Sequence, residues 1–360
     1  MLEISCSDRT RVMTKTMWQS ETLLRVRKLK ISYELNGSFV QAVDGVSFEV
    51  KKGECFGLVG ESGSGKTTIA KAILKLLPSN AKLMDGEILL KNRDITTATE
   101  KEMNRIRWNE ISLVTQSAMN ALNPVGRISN QMIETFFAHL KTSRKAALER
   151  CKNLFELVGL NRNRIFDYPH QFSGGMKQRV IIAMAIALNP DLIIADEPTT
   201  ALDVVIQAQI INLLRSLSEE QGISLILITH DISIVAEMCQ KVGVMYAGRL
   251  MEYGDIDRVF NNPYHPYTMG LKGAFPTIRD LRKSLISIPG SPPMLTNPLL
   301  GCGFSERCPF STIDCTREVP EMVMVEDNHY AACCRIPYAE KFRKEINDIF
   351  CTKTRGQHYL

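Results

Sequence analysis

The stretch Gly60-Glu-Ser-Gly-Ser-Gly-Lys-Thr67 decides how the chain is read. It fits the pattern G-x-x-x-x-G-K-[ST], follows the apolar run Cys55-Phe-Gly-Leu-Val59, and precedes the helix-forming Ile69-Ala-Lys-Ala-Ile-Leu-Lys-Leu-Leu77. Strand, loop and helix in that order are the context such a loop requires. Gly60, Gly63 and Gly65 let the backbone curl so that successive N–H groups point inward, and a helix beginning near Lys66 adds the positive end of its dipole. That nest suits a triphosphate. Lys66 is placed to reach the β- and γ-phosphate oxygens, and the Thr67 hydroxyl to sit on Mg²⁺.

With 360 residues, 44% of them hydrophobic and 23% charged, the chain has material for two or three globular domains and is not a disordered polymer. A net charge of +5 is mild for this size and gives no independent case for nucleic acid. No apolar run approaches the ~18 to 20 residues of a spanning helix, and the N-terminus lacks an apolar signal core, so a cytosolic location is expected. Ten cysteines then point to metal or redox work wherever they cluster, since disulfides are rare in that compartment.

Residues 1–20 show no strand or helix period and read as a loose extension. Leu24-Arg-Val-Arg-Lys-Leu-Lys-Ile31 and Val43-Asp-Gly-Val-Ser-Phe-Glu-Val50 alternate as half-buried strands do, an antiparallel prelude to the phosphate loop. Tyr33 lies at its exposed end, where it could stack on an adenine or be a plain strand aromatic; spacing leaves both open. Gly86–Leu90 and Ile111–Thr115 read as further strands. Gln116 follows the second, placed for Mg²⁺ or the attacking water, or as a strand-end cap. Ile128 to Leu160 has helical character throughout, predicting a separate helical lobe over about 128–180.

In Phe172-Ser-Gly-Gly-Met-Lys-Gln-Arg-Val180, Ser173 caps a helix whose two glycines leave N–H groups open to an anion. Leu192-Ile-Ile-Ala-Asp196-Glu197 is a buried strand ending in two carboxylates. Asp196 is expected to hold Mg²⁺ through water and Glu197 to polarise the water that attacks the γ-phosphate. Ala201-Leu-Asp203 opens a helix to about Leu217, and the strand Ser224–Thr229 ends at His230, a candidate phosphate sensor. Lys66, Asp196 and His230 all follow parallel-type strands, whose ends converge on one sheet edge.

These pieces resemble the ATP-binding subunits of ABC transporters, and within them the oligopeptide/dipeptide importer branch. GESGSGKT is similar to Walker A, Gln116 to the Q-loop glutamine, FSGGMKQRV to the signature motif, and LIIADEP to Walker B with Glu197 as catalytic glutamate. ALD at 201–203 is similar to the D-loop and His230 to the switch histidine. Branch features are FSGGMKQR, DEPTTALDVVIQAQI, MYAGRLMEYG at 245–254, HPYT at 265–268 and IPGSPP at 288–293. Departures are small: Lys177 stands where Arg is more usual, and Thr115 where the branch often has an aromatic.

The resemblance implies an α/β fold: an ABC-type phosphate-loop core with a mixed, largely parallel sheet, an antiparallel β subdomain, an α-helical lobe and a small Cys-rich C-terminal domain. It divides the chain into an ATPase domain (21–258), a C-terminal domain (259–338) and a tail (339–360). It also implies MgATP as ligand, with Tyr33 on the adenine and Gly60, Ser62, Gly63, Gly65, Lys66, Thr67 and Thr68 around the phosphates. Thr67, Gln116 and Asp196 would serve Mg²⁺. Ser173, Gly175 and Asp203 would serve a nucleotide shared with an opposite subunit, expected to be a related but different ATPase. Two membrane permease subunits and an extracellular substrate-binding protein complete the implied assembly; nucleic acid is not a partner. The implied activity is ATP hydrolysis driving peptide uptake, with oligosaccharide or nickel import as alternatives and a soluble ABC-type protein acting on nucleic acid or ribosomes as the rival class.

Beyond the ATPase motifs, a Pro-rich connector leads to Gly301-Cys-Gly-Phe-Ser-Glu-Arg-Cys-Pro309, Cys315 and Ala332-Cys-Cys334. The gaps of five, six and seventeen residues between Cys302, Cys308, Cys315 and Cys333 fit neither zinc knuckles nor ferredoxin spacings. Spacing leaves zinc, an iron–sulfur cluster and free thiols open. A GCxFxxRCP…C…AC tail is similar to one that binds a [4Fe–4S] cluster in some branch members, which implies these four as ligands and Cys334 in reserve.

Overall fold

A computed structural model describes residues 22–35, 37–115, 121–274, 288–293, 295 and 299–356. The expected N-terminal extension and Gln116 lie outside the described residues. In chain order the first strands are β1 (Thr22–Leu35), β2 (Ser38–Lys51), β3 (Cys55–Val59), β4 (Ala81–Leu90), β5 (Arg93–Asp94) and β6 (Ile111–Val114). They continue as β7 (Leu192–Asp196), β8 (Ser224–Thr229), β9 (Lys241–Tyr246), β10 (Arg249–Asp255), β11 (Val323–Glu326) and β12 (His329–Ala331).

Two sheets result. One is antiparallel, in the order β2-β1-β4-β5. The other runs β11-β12-β10-β9-β3-β8-β7-β6, with parallel pairing from β6 through β9 and antiparallel pairing from β9 to β11. Every residue of β3, β7 and β8 is buried. Their sequences CFGLV, LIIAD and SLILIT are apolar on both faces because helices cover a parallel sheet on both sides. β1 buries Leu23, Leu24, Arg25 and Val26 in one run and then Leu29, Ile31 and Ser32, with register shifts between Val26 and Leu29 that interrupt the alternation its sequence suggests. The sheets meet where Phe48 of β2 stacks on Phe56 of β3, ring centroids 4.9 Å apart.

The segment from 128 to 160 is two helices, Ile128–His139 and Arg144–Leu157, not the uninterrupted helical run predicted. The break falls at Lys141-Thr142-Ser143. Ser143 accepts from the Ala146 N–H at 3.2 Å, so its hydroxyl caps the second helix in preference to extending the first. The helix after Asp203 runs Val204–Gln221, past the predicted end, and stops at Gly222 in the left-handed region.

The C-terminal segment supplies two strands of the main sheet: β12 pairs with β10 through Glu252↔Ala331 and Gly254↔His329. The Glu252 carboxylate is fully buried beneath this join. It accepts from His329 Nε2 at 2.7 Å and from the Tyr264 and His265 N–H groups at 2.8 and 3.0 Å, which ties the tail to β10.

Candidate nucleotide site

The phosphate loop leaves β3 and enters the helix Lys66–Ile73. Its glycines are there for different reasons. At Gly60 (φ +151°) a Cβ would lie 2.1 Å from the Met245 carbonyl oxygen, and at Gly65 (φ +100°) 2.4 Å from that of Ala42. Gly63 (φ +79°) faces open space and supplies the left-handed turn itself. Lys66 Nζ donates to the carbonyls of Gly60 and Glu61, both at 2.8 Å, and lies 3.2 Å from Ser64 Oγ. Burial pulls the Lys66 ammonium down from its usual range; the nearby Glu197, Asp196 and Glu61 carboxylates oppose that pull.

Thr67 and Asp196, which the sequence placed on one metal ion, are in direct contact: Thr67 Oγ1 donates to Asp196 Oδ1 at 3.1 Å. The oxygen donor pair is of the hard type Mg²⁺ takes. Burial pushes the Asp196 carboxyl above its usual range and the Glu197 charge adds to that, while the Thr67 hydrogen bond and Lys66 hold it back. Thr68, the next residue, has its hydroxyl 3.2 Å from that of Tyr33. The aromatic at the end of β1 is therefore beside the loop's helix.

Glu197 sits just past β7 with φ +51°, a conformation a non-glycine residue adopts only when its surroundings hold it there. Its N–H donates to the Ile228 carbonyl at 2.8 Å, and its carboxylate meets His230 Nδ1 at 2.8 Å and the Thr200 hydroxyl at 2.9 Å. His230 is exposed, its side chain 64% accessible. The adjacent ends of β3, β7 and β8 thus bring Lys66, Thr67, Asp196, Glu197 and His230 to one edge.

Ser173, Gly175 and Asp203 form a second group. Ser173 caps the helix Gly174–Ala185 by accepting from Met176 N–H at 3.4 Å, and Asp203 caps Val204–Gln221 by accepting from Ile206 N–H at 3.0 Å. A Cβ on Gly175 would lie 2.5 Å from Ile206 Cγ2, so glycine lets the starts of these two helices touch.

Cys302, Cys308, Cys315, Cys333 and Cys334 line one cavity with His265 and Phe342. Among the described residues no three His, Cys, Asp or Glu side chains could hold a single metal ion. The Arg335 N–H donates to Cys333 Sγ at 3.3 Å, while the Ser305 N–H goes to the Cys302 carbonyl at 2.9 Å. Burial raises the Cys302, Cys308 and Cys333 thiols above their usual range, Cys308 to about 12. His265 Nδ1 accepts from the Tyr267 N–H at 3.0 Å, leaving Nε2 to face Cys302 Sγ at 3.9 Å.

An ABC transporter family profile matches residues 43–200, and one for the oligopeptide/dipeptide transporter C-terminal region matches 251–315. The chain is 45% identical to the dipeptide transport ATP-binding protein DppD of Bacillus subtilis, over 87% of this chain and 94% of that one. The chain belongs to the ABC transporter ATP-binding subunits, in their oligopeptide/dipeptide branch.

Against the oligopeptide transport ATP-binding protein OppD of Escherichia coli this ABC subunit is 42% identical, over 84% of its own length and 90% of the relative's. A dimeric bacterial ABC transporter cassette, MJ0796, superposes with TM-score 0.59 at 28% identity, over 65% of this chain and 98% of that one. Sequence spacing does not single out Arg307, Tyr267 and Glu61, which meet at the phosphate loop. Arg307 and Tyr267 stood inside motifs quoted for the branch, RCP and HPYT, but their partner is more than 200 residues away in the chain.

Proposed function

We propose that this chain is the ATP-hydrolysing subunit of an importer for short peptides, acting at the cytoplasmic face of the membrane. The observation that carries the reading is the meeting of Thr67 with Asp196 and of Glu197 with His230 on the edge where Lys66 emerges. No helix among the described residues is long and apolar enough to cross a membrane, which fits a subunit that relies on permease partners for the crossing.

The residues take the following roles. Loop N–H groups from Gly60 to Thr68, with Ser62 and Gly63 at the tip, bind the phosphates; Lys66 leaves the Gly60 and Glu61 carbonyls to meet the β- and γ-oxygens. Thr67, Asp196 and Gln116 would hold Mg²⁺, whose chemistry would be to offset charge on the transferred phosphoryl group. Glu197 orients and deprotonates the attacking water, and His230 fixes the Glu197 carboxylate and contacts the γ-phosphate. Tyr33 stacks on adenine. Ser173 and Gly175, with Asp203 beside them, complete the nucleotide site of the opposite subunit, so that hydrolysis requires a dimer. The opposite subunit is a second, different ATPase. Permease subunits dock on the helical lobe, and a substrate-binding protein delivers peptide from outside.

Cys302, Cys308, Cys315 and Cys333 are the residues that would hold a [4Fe–4S] cluster. The reading is supported by the shared cavity that these cysteines line and by the Arg335 N–H, which donates to Cys333 Sγ at 3.3 Å as donors to a ligating thiolate do. Bound iron and absorbance near ~400 nm in anaerobically purified protein, lost in Cys308→Ser, are expected for thiolate-bound iron; iron-free protein would refute the assignment. Co-expression with candidate second ATPases tests the dimer: full activity of this chain as a homodimer would contradict a heteromeric site.

A further inference from the structure

Glu61, the second residue of the phosphate loop, is held by all three of its polar groups. Its carbonyl accepts from Lys66 Nζ at 2.8 Å, its N–H donates to Tyr267 Oη at 3.0 Å, and its carboxylate accepts from Arg307 Nη1 at 2.7 Å. Two of these partners come from the C-terminal segment. Arg307 is itself fixed by a network: the same Nη1 reaches the Tyr246 hydroxyl at 3.0 Å, Nε donates to the Pro289 carbonyl at 2.9 Å and Nη2 to that of Ile288 at 3.1 Å. Its side chain is 7% exposed and packs over Tyr246 and Phe304, which contact each other and Tyr267.

The loop's task makes this arrangement informative. It gathers N–H groups for a polyanion, and a carboxylate at its second position opposes that charge unless something cancels it. A guanidinium held in a low-exposure network cancels it at fixed geometry, which a mobile surface lysine does not. Arg307 lies in the short turn between Cys302 and Cys308, closed by the Arg307 and Cys308 N–H groups donating to the Phe304 carbonyl at 3.0 and 2.9 Å.

We propose that Arg307 is a positioning residue for ATP: it neutralises Glu61 and fixes the back of the phosphate loop, so the C-terminal segment sets the affinity of the nucleotide site. The inference rests on the loop binding ATP but not on a metal at the cysteines. It gives Glu61 and Arg307 meaning only as a pair.

The test is a double-substitution cycle in the full chain, reading MgATP affinity by equilibrium binding, KM and kcat of hydrolysis in the assembled transporter, and thermal unfolding. Arg307→Ala should weaken MgATP binding about tenfold or more, the scale of one lost charge-assisted contact, raising KM more than it lowers kcat. Arg307→Lys should restore part of the affinity. In a Glu61→Gln background, where no carboxylate needs cancelling, Arg307→Ala should cost less than threefold. Equal costs in both backgrounds, or binding within twofold of wild type in Arg307→Ala, would overturn the proposal. If Arg307→Ala does not fold, the same cycle run with Arg307→Lys decides it by the same comparison. Loss of the Glu197→Gln effect on hydrolysis, by contrast, would count against the ATPase reading and not against this pair.

Discussion

The Thr67 hydroxyl, on the first turn of the helix that follows the phosphate loop, donates to the Asp196 carboxylate at the end of β7, 129 residues away in sequence. Two elements that meet only in the folded sheet thereby share one hydrogen bond at the place where a metal-bound triphosphate would come to rest.

Asp196 is the first test of that relationship. Its folded-state carboxyl value is raised, so the ionised form costs stability; the cost builds as pH rises from the ordinary carboxyl value to the raised one and is fully present above it. Asp196→Asn should therefore melt higher than wild type near neutral pH, by about 1–3 °C, with the difference vanishing in acid. The same substitution should abolish stabilisation by MgATP. Differential scanning calorimetry with and without MgATP checks both signs.

Acid should also weaken the wild-type site. As pH falls through the raised Asp196 value the carboxylate protonates and no longer offers a charge to Mg²⁺, so MgATP affinity should begin to drop at a higher pH than an ordinary aspartate would give. Titration calorimetry across the acid range, compared with Mg²⁺-free ATP, reads the difference.

Glu197→Gln should keep the hydrogen bond to Thr200 but lose the base. Turnover should fall by about 10²–10⁴ while ATP binding persists, leaving a closed, ATP-loaded dimer. Near-normal phosphate release would remove Glu197 from its proposed role.

Gly57, in the middle of β3, tests the core beneath the loop. A Cβ there would lie 2.2 Å from Val235 Cγ1 and 3.3 Å from Cys239 Sγ, both buried. Gly57→Ala should cost about 1–3 kcal/mol by overpacking, measured as a lower urea midpoint at unchanged slope.

Ser173→Ala should do two separable things. Loss of the bond from Met176 N–H should cost the helix start about 0.5–2 kcal/mol, read in the isolated chain. Loss of the hydroxyl should also depress hydrolysis at the partner's nucleotide, visible in a mixed dimer in which only the partner retains a working Walker B glutamate. Hydrolysis unaffected in that dimer would leave Ser173 with its capping role alone.

Local spacing carried the parts of the site that are local. The phosphate loop, the Asp196-Glu197 strand end and His230 are each written in a continuous stretch, and apolar strands such as LIIAD and SLILIT announce burial on both faces. The break at Lys141–Ser143 was hidden because residues on either side keep one helical period; only the Ser143 cap interrupts it. The Arg307–Glu61 pair was hidden for a different reason. Nothing in local spacing links positions 61 and 307, which meet only when the chain folds back and buries the guanidinium against Tyr246 and Phe304.

The measurement that tests the central claim most directly is ATP hydrolysis by the whole transporter reconstituted in liposomes, with its binding protein loaded in turn with short peptides, oligosaccharides or nickel chelates. The account predicts stimulation by peptides alone, abolished by Glu197→Gln. Stimulation by another ligand and not by peptides would contradict peptide import, and hydrolysis undiminished by Glu197→Gln would contradict the catalytic site itself.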